Sequence, residues 1–296
     1  MFPPSKLGGQ SPCIPPILHS IRIEVSSLMR TIAFIGVGNM AGAIIGGMLK
    51  SGAVDYPHLI LSDRFADKCA AYVEQGAVLA ATPAEAAAKA DCVVLSVKPQ
   101  NFAEILPELA LVESIEKKLI ITIAAGISSE TVKTALHGAP VVRVLPNTPM
   151  LIGLGVSVIC RADDVSPADF DFVCKIFEAS GSVQVIDEAD MNRIISVTSS
   201  SPAYVFAFID AIRAGAAAQG MDGDAMLGSI CDVVIGAATL LKNGGLTPSE
   251  QISRVTSKGG TTEQAMRVLS EQDMEATVVA AMKACTARAE EMSRTM

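Results

Sequence analysis

The 296-residue sequence predicts an α/β protein, with an N-terminal doubly wound sheet and a C-terminal all-helical domain. Two observations predict it. Up to about residue 187, short apolar runs alternate with helical patterns, as strand–helix–strand units do. Beyond that point period-2 segments vanish and apolar residues recur at helical spacing.

Thr31–Ile35 is a run of five apolar or β-branched residues and opens the sheet. A helix of about 39–51 follows, then strands at His58–Ser62 and Ala77–Ala80. Thr82, with Pro83 in the first turn, starts an Ala-rich helix to Ala90. Cys92–Val97 is a strongly apolar strand, with a helix of about 100–112 after it. Leu119–Ala124, a helix from Ser129 and strand Val141–Leu145 continue the alternation. Gly155–Cys160 and Ser182–Ile186 flank a helix near 167–179. Helices are then expected at 188–198, 202–219, 223–242, 260–269 and 273–294. The expected division is 1–28 as a disordered extension, 29–187 as the sheet domain and 188–296 as the helical domain.

Helices 202–219 and 223–242 are apolar on most of their circumference (Val205, Phe206, Phe208, Ile209, Ile212; Ile230, Val233, Val234, Ile235, Leu240, Leu241). Such helices must be buried. A small domain rarely hides two of them, so a homodimer built from them is expected, the alternative being burial against the sheet domain.

Composition narrows the function. Half the residues are apolar and 18% charged, which marks a globular chain. A net charge of −8 with few aromatics and no Trp argues against a nucleic-acid surface. No uninterrupted apolar run approaches the ~18 residues of a membrane span. Residues 1–28 hold five prolines and lack the pattern of a secretory signal. Seven scattered cysteines (Cys13, Cys69, Cys92, Cys160, Cys174, Cys231, Cys285) read as reduced thiols of a cytoplasmic protein. His19, His58 and His137 fit no metal-ligand spacing, so no metal site is expected.

The first strand runs into Gly36-Val-Gly38-Asn39-Met40-Ala41, the spacing G-x-G-x-x-A, with a helix after it. Gly36 permits the tight turn, Gly38 lets a pyrophosphate approach the backbone, and Ala41 lets helix and strand pack closely. The helix's first N–H groups then face the phosphates. This is the fingerprint of a Rossmann-like dinucleotide site. In such a site the loops after the strands supply the other contacts. Here they are Ser96-Val97-Lys98-Pro99-Gln100, Ala124-Ala125-Gly126 and Arg143-Val-Leu-Pro146-Asn147-Thr148-Pro149. Lys98 would face ribose or nicotinamide, Ala125 and Gly126 would let a flat ring lie close, and Asn147 could hold an amide or hydroxyl. Asp63, ending the second strand, suits a ribose 2′-hydroxyl, whereas Arg64 suits a 2′-phosphate. NADP(H) is favoured, with NAD(H) as the alternative.

In the helical part, Ser257-Lys258-Gly259-Gly260-Thr261-Thr262 opens a helix with a cluster of backbone and hydroxyl donors, suited to a carboxylate.

Together these pieces resemble the 1-pyrroline-5-carboxylate reductase family. The match runs through Phe34–Ala41, Val97-Lys98-Pro99-Gln100, Ala124–Gly126, Arg143–Pro149, Pro202-Ala203-Tyr204 and Gly259–Thr262, in the family's order. The resemblance implies NAD(P)H-dependent reduction of a cyclic imino acid to L-proline, in a homodimer or larger homo-oligomer with intertwined helical domains. It implies that Gly260, Thr261 and Thr262 hold the substrate carboxylate, that Ser257 supports the loop, and that Thr262 is the catalytic candidate beside the imine nitrogen. Two departures stand out. Ser199-Ser200-Ser201 replaces Gly-Ser-Gly, which adds bulk and disfavours positive φ, and Lys258 replaces Pro. A different cyclic imine, or an NADP-binding protein without turnover, are the alternative readings.

Overall fold

Short strands, apolar almost throughout, form the centre of the molecule. β1 (Ile32–Ile35), β2 (Leu59–Ser62), β4 (Cys92–Leu95), β5 (Leu119–Thr122) and β6 (Val141–Leu145) are buried at every position. That is the mark of strands covered on both faces. The computed structural model describes residues 30–162 and 164–294, and the extension expected at 1–28, with Cys13 and His19, lies outside them.

With β3 (Val78–Leu79), β7 (Gly155–Arg161) and β8 (Gly181–Val185), the strands form one sheet of order β3-β2-β1-β4-β5-β6-β7-β8. The first six are parallel, and the order reverses between β1 and β4. Successive residues feed opposite faces. Ile32 and Phe34 join α1 (Asn39–Ser51) and α6 (Pro167–Glu178), whereas Ala33 and Ile35 join α3 (Pro83–Ala88), α4 (Phe102–Leu109) and α5 (Ser129–Ala135). A short α2 (Ala70–Val73) precedes β3. Thr82 caps α3 as expected, its hydroxyl accepting from Glu85 N at 3.1 Å.

β7 departs from a purely parallel sheet, pairing antiparallel to β6, with β8 parallel to β7. Residues 146–154 between β6 and β7 are too few for a helical crossover, so the chain turns straight back.

The helix expected at 188–198 is broken. A 3₁₀ turn at Glu188–Asp190 leads to α7 (Met191–Ile194) and a π-helical turn, Ile195–Ser199, before α8 (Ser201–Ala218). Pro202 explains the break, because it has no N–H for the carbonyl of Thr198 and its ring crowds that carbonyl. The freed Thr198 oxygen accepts from Asn147 Nδ2 at 3.0 Å, and Ser200 N reaches Ile195 O at 2.9 Å. None of Ser199, Ser200 and Ser201 has positive φ, so the serines sit there without the backbone strain expected of them.

Three helices follow as expected: α9 (Leu227–Gly244), α11 (Thr261–Glu271) and α12 (Met274–Arg294). An unexpected α10 (Pro248–Val255) opens with a capping box in which Thr247 and Glu250 satisfy each other's backbone.

The helical half has almost no core within one chain. α8 buries Ala216 alone, α9 Ile230 and α12 Ala289, while α10 and α11 bury nothing. Phe206, Val233, Ile235 and Leu240 are each more than 60% exposed. Within one chain these faces are not buried against the sheet domain. Glu188–Ala218 is also, by length and composition only, apolar enough to cross a membrane, because that measure tolerates charges such as Arg193, Asp210 and Arg213.

Among the described residues Cys69, Cys92 and Cys160 are buried, Cys174, Cys231 and Cys285 are partly exposed, and all six are free thiols. Burial pushes Cys92 up to about 12. Burial, and then Glu188, push Cys160 up to about 12 as well. No three His, Cys, Asp or Glu side chains among the described residues cluster as metal ligands.

Candidate active site

The turn from β1 into α1 sits where the strand order reverses, which is where open α/β sheets bind ligands. Gly36 has φ +94°, and a Cβ there would lie 2.9 Å from Val97 Cγ1 and 3.0 Å from Ser96 O. No other residue fits. Gly36 N donates to Ser62 O at 2.8 Å, and Ser96 Oγ donates to Gly36 O at 2.6 Å, so both neighbouring strands hold the turn. Gly38 faces open space, with no atom within 4 Å of a built Cβ. Asn39 is exposed, Met40 half-buried and Ala41 buried against the core. Among the described residues the N–H groups of Gly38, Asn39, Met40 and Ala41 carry no hydrogen bond; Gly42 N is the first to find a carbonyl, that of Gly38. Four free donors around an open glycine at a helix N-terminus fit a pyrophosphate.

At the end of β2, Asp63 has an 8%-exposed side chain. Its Oδ2 accepts from Val37 N at 2.7 Å and its Oδ1 from Phe65 N at 2.9 Å, and Lys68 Nζ donates to Oδ1 at 3.1 Å. Burial pushes the carboxyl upward, but the two amides and Lys68 outweigh it and hold the group below the ordinary aspartate range. Asp63 thus latches the glycine turn to the end of β2. Arg64 is 68% exposed and pairs with the 67%-exposed Glu104 at 3.0 Å.

Lys98 is exposed at the end of β4, and Pro99 opens the 3₁₀ turn before α4. The Ala125–Gly126 loop ends β5, and Gly126 (φ +77°) lies against α12, where a Cβ would stand 2.9 Å from Met292 Cβ. Its smallness serves the packing of the last helix. Asn147 is likewise committed to the protein. It is 6% exposed, and its Oδ1 accepts from Val156 N at 2.8 Å while its Nδ2 holds the Thr198 carbonyl.

The structure also shows a part-buried polar network, centred on a buried arginine, that the sequence did not reveal. Arg143, 2% exposed in the middle of β6, donates to Glu188 Oε1 at 2.7 Å and Asn192 Oδ1 at 2.8 Å. Glu188 also accepts from Ser129 Oγ at 3.1 Å, and Asn192 Nδ2 donates to Ser293 at 3.0 Å. The network joins β6 and α5 to α7 and α12. Its partners lie 45 to 101 residues apart in the chain, and no local motif marks them.

The second candidate cluster lies between α10 and α11. Ser257 and Lys258 are exposed, Gly260 is the N-cap of α11, and no side chain caps that helix. Gly260 N donates to Ser257 O at 2.9 Å, and Gly259 N donates to Glu263 at 2.8 Å. The N–H groups of Thr261, Thr262 and Glu263 carry no hydrogen bond among the described residues. Within one chain the loop's hydrogen bonds stay inside residues 252–264, so the structure does not tie it to the glycine cradle.

Comparison with known proteins agrees with both halves. Residues 188–292 match the family model described as pyrroline-5-carboxylate reductase dimerisation, and residues 31–126 match that of NADP oxidoreductase, coenzyme F420-dependent. Pyrroline-5-carboxylate reductase of Vibrio alginolyticus is 36% identical over 274 residues, covering 90% of this chain and 98% of its own. A pyrroline-5-carboxylate reductase structure from Coxiella burnetii superposes with a TM-score of 0.81 at 29% identity, over 90% of this chain and 99% of that one. The NADP-bound pyrroline carboxylate reductase of Plasmodium falciparum shares the fold, with a TM-score of 0.80 at 22% identity over 89% and 98% of the two chains.

Proposed function

The chain belongs to the pyrroline-5-carboxylate reductase family, and on that premise we propose that it reduces 1-pyrroline-5-carboxylate to L-proline with NADPH. Its relatives of that name match it across both halves. The observation on this chain that carries the reading is the pairing of two donor sites: the open cradle at Gly38 and the uncapped N-terminus of α11. One suits a pyrophosphate and the other a carboxylate.

The nicotinamide, when bound, supplies the hydride for the ring carbon of the imine; the protein's task is alignment. Gly38, Asn39, Met40 and Ala41 bind the pyrophosphate through backbone N–H groups, Arg64 takes the 2′-phosphate, and Val97, Lys98, Pro99 and Ala125 line the strand ends. Gly260, Thr261 and Thr262 hold the substrate carboxylate, with Ser257 bracing the loop. The Thr262 hydroxyl meets the ring nitrogen, which enters protonated and leaves as a secondary amine. We divide the work at Asp187, with 29–187 binding the cofactor and 188–296 binding substrate and a second copy.

That second copy covers the exposed faces of α8 and α9, in a homodimer or a larger ring of dimers. A patch of this kind on a soluble chain marks an association surface. The same cover accounts for the apolar Glu188–Ala218 stretch without a membrane. Free thiols fit a cytoplasmic setting. Expression in a proline auxotroph tests the reading: growth without proline is expected, and no growth despite folded, NADPH-binding protein overturns it.

A further inference from the structure

We propose that Glu104 sets the discrimination between NADPH and NADH, by competing with the 2′-phosphate for Arg64. The inference rests on the cofactor reading above, in which Arg64 takes that phosphate.

Three observations carry it. The first is placement. Arg64 follows β2 and Glu104 lies in the first turn of α4, which follows β4. β1 lies between β2 and β4, so the ion pair arches over the end of β1, where the glycine cradle begins. A carboxylate from the far side of the cleft thus occupies one terminal nitrogen of the guanidinium.

The second is that the neighbouring cation is already committed. Lys68 Nζ sits 3.1 and 3.4 Å from the two oxygens of Asp63, and Asp63 also holds the amides of Val37 and Phe65. Drawing Lys68 to a phosphate would loosen the latch on the glycine turn. Arg64 has no such duty, and its hydrogen bond to Glu104 ties it to nothing else.

The third is that the pair is exchangeable. Both side chains are two-thirds exposed, and surface pairs of this kind are weak. A phosphate of nearly two charges, taken bidentately by the guanidinium, outcompetes one carboxylate. Glu104 stays within a Debye length of that phosphate and repels it. NADH lacks the phosphate and feels neither effect. Glu104 therefore lowers the preference for NADPH, and its removal raises it.

The test is a fluorescence titration of the full chain with NADPH and with NADH, without substrate, for Glu104→Gln and Arg64→Ala. Glu104→Gln is expected to tighten NADPH by about three- to fivefold, the upper part of what one surface ion pair contributes, with NADH changed by less than about twofold. The gain shrinks at high salt. Arg64→Ala is expected to abolish the difference between the cofactors. If Glu104→Gln leaves the ratio unchanged while Arg64→Ala abolishes it, the proposed role of Glu104 is wrong and the cofactor reading stands. If Arg64→Ala leaves NADPH binding intact, the 2′-phosphate site itself is misplaced and both fall.

Discussion

Replacing Arg143 by Met removes the charge at the centre of the polar network and keeps most of the bulk. In the native chain this side chain is 2% exposed and makes two charge-assisted hydrogen bonds, to Glu188 at 2.7 Å and Asn192 at 2.8 Å. Each such bond contributes about 1.5–3 kcal/mol. Glu188 is 35% exposed and can regain water, and it keeps Ser129, so the low end applies. A loss of about 3 kcal/mol follows, partly offset by the apolar Met, and a net of about 2 kcal/mol shifts Tm by about 4 °C in a chain of this size. The assay is thermal unfolding at fixed protein concentration, since association also shifts Tm. Glu188→Gln and the double variant complete a cycle. The double variant should be little less stable than Arg143→Met alone. Arg143→Met within about 1 °C of the native chain, or full additivity, would refute the reasoning that the network clamps the helical half to the sheet.

Three other outcomes are expected. Thr262→Ala should cost about tenfold in kcat/KM for the imine, one hydrogen bond's worth, with NADPH affinity held within twofold; unchanged kinetics would move the substrate site elsewhere. Val233→Asp with Ile235→Asp puts charge on two residues more than 60% exposed on α9, and sedimentation should then report monomer without turnover, whereas an intact dimer would clear α9 of the interface. Asp63→Asn should destabilise the chain at neutral pH. Because the folded-state pKa of Asp63 is lowered, its contribution is full above the ordinary aspartate value and fades as pH falls through the lowered one. Denaturant melts of the two proteins should therefore converge in acid, and a gap that persists there would contradict the latch.

The cradle was legible because its chemistry is local. A strand, G-x-G-x-x-A and a helix follow one another within twenty residues, and each small residue's task depends on its neighbours. The alternation of strands and helices was legible for the same reason. What escaped depends on distance or direction. Nothing in Gly155–Arg161 states which way it runs; the short loop before it decides that. The partners that Asn147 and Gly126 find in Thr198 and Met292 come from the helical half, far along the chain, and no local pattern announces them. The T-P-x-E signal at Thr247–Glu250 is local and marks α10. The apolar circumference of α8 and α9 forecast association, and the match of residues 188–292 to a dimerisation family model supports it.

The most direct test is turnover by the purified protein with NADPH and 1-pyrroline-5-carboxylate. One L-proline formed for each NADPH consumed, with kcat/KM about tenfold lower in Thr262→Ala, is the predicted result. NADPH-binding protein that forms no proline from this imine, while reducing another cyclic imine, would contradict the assignment.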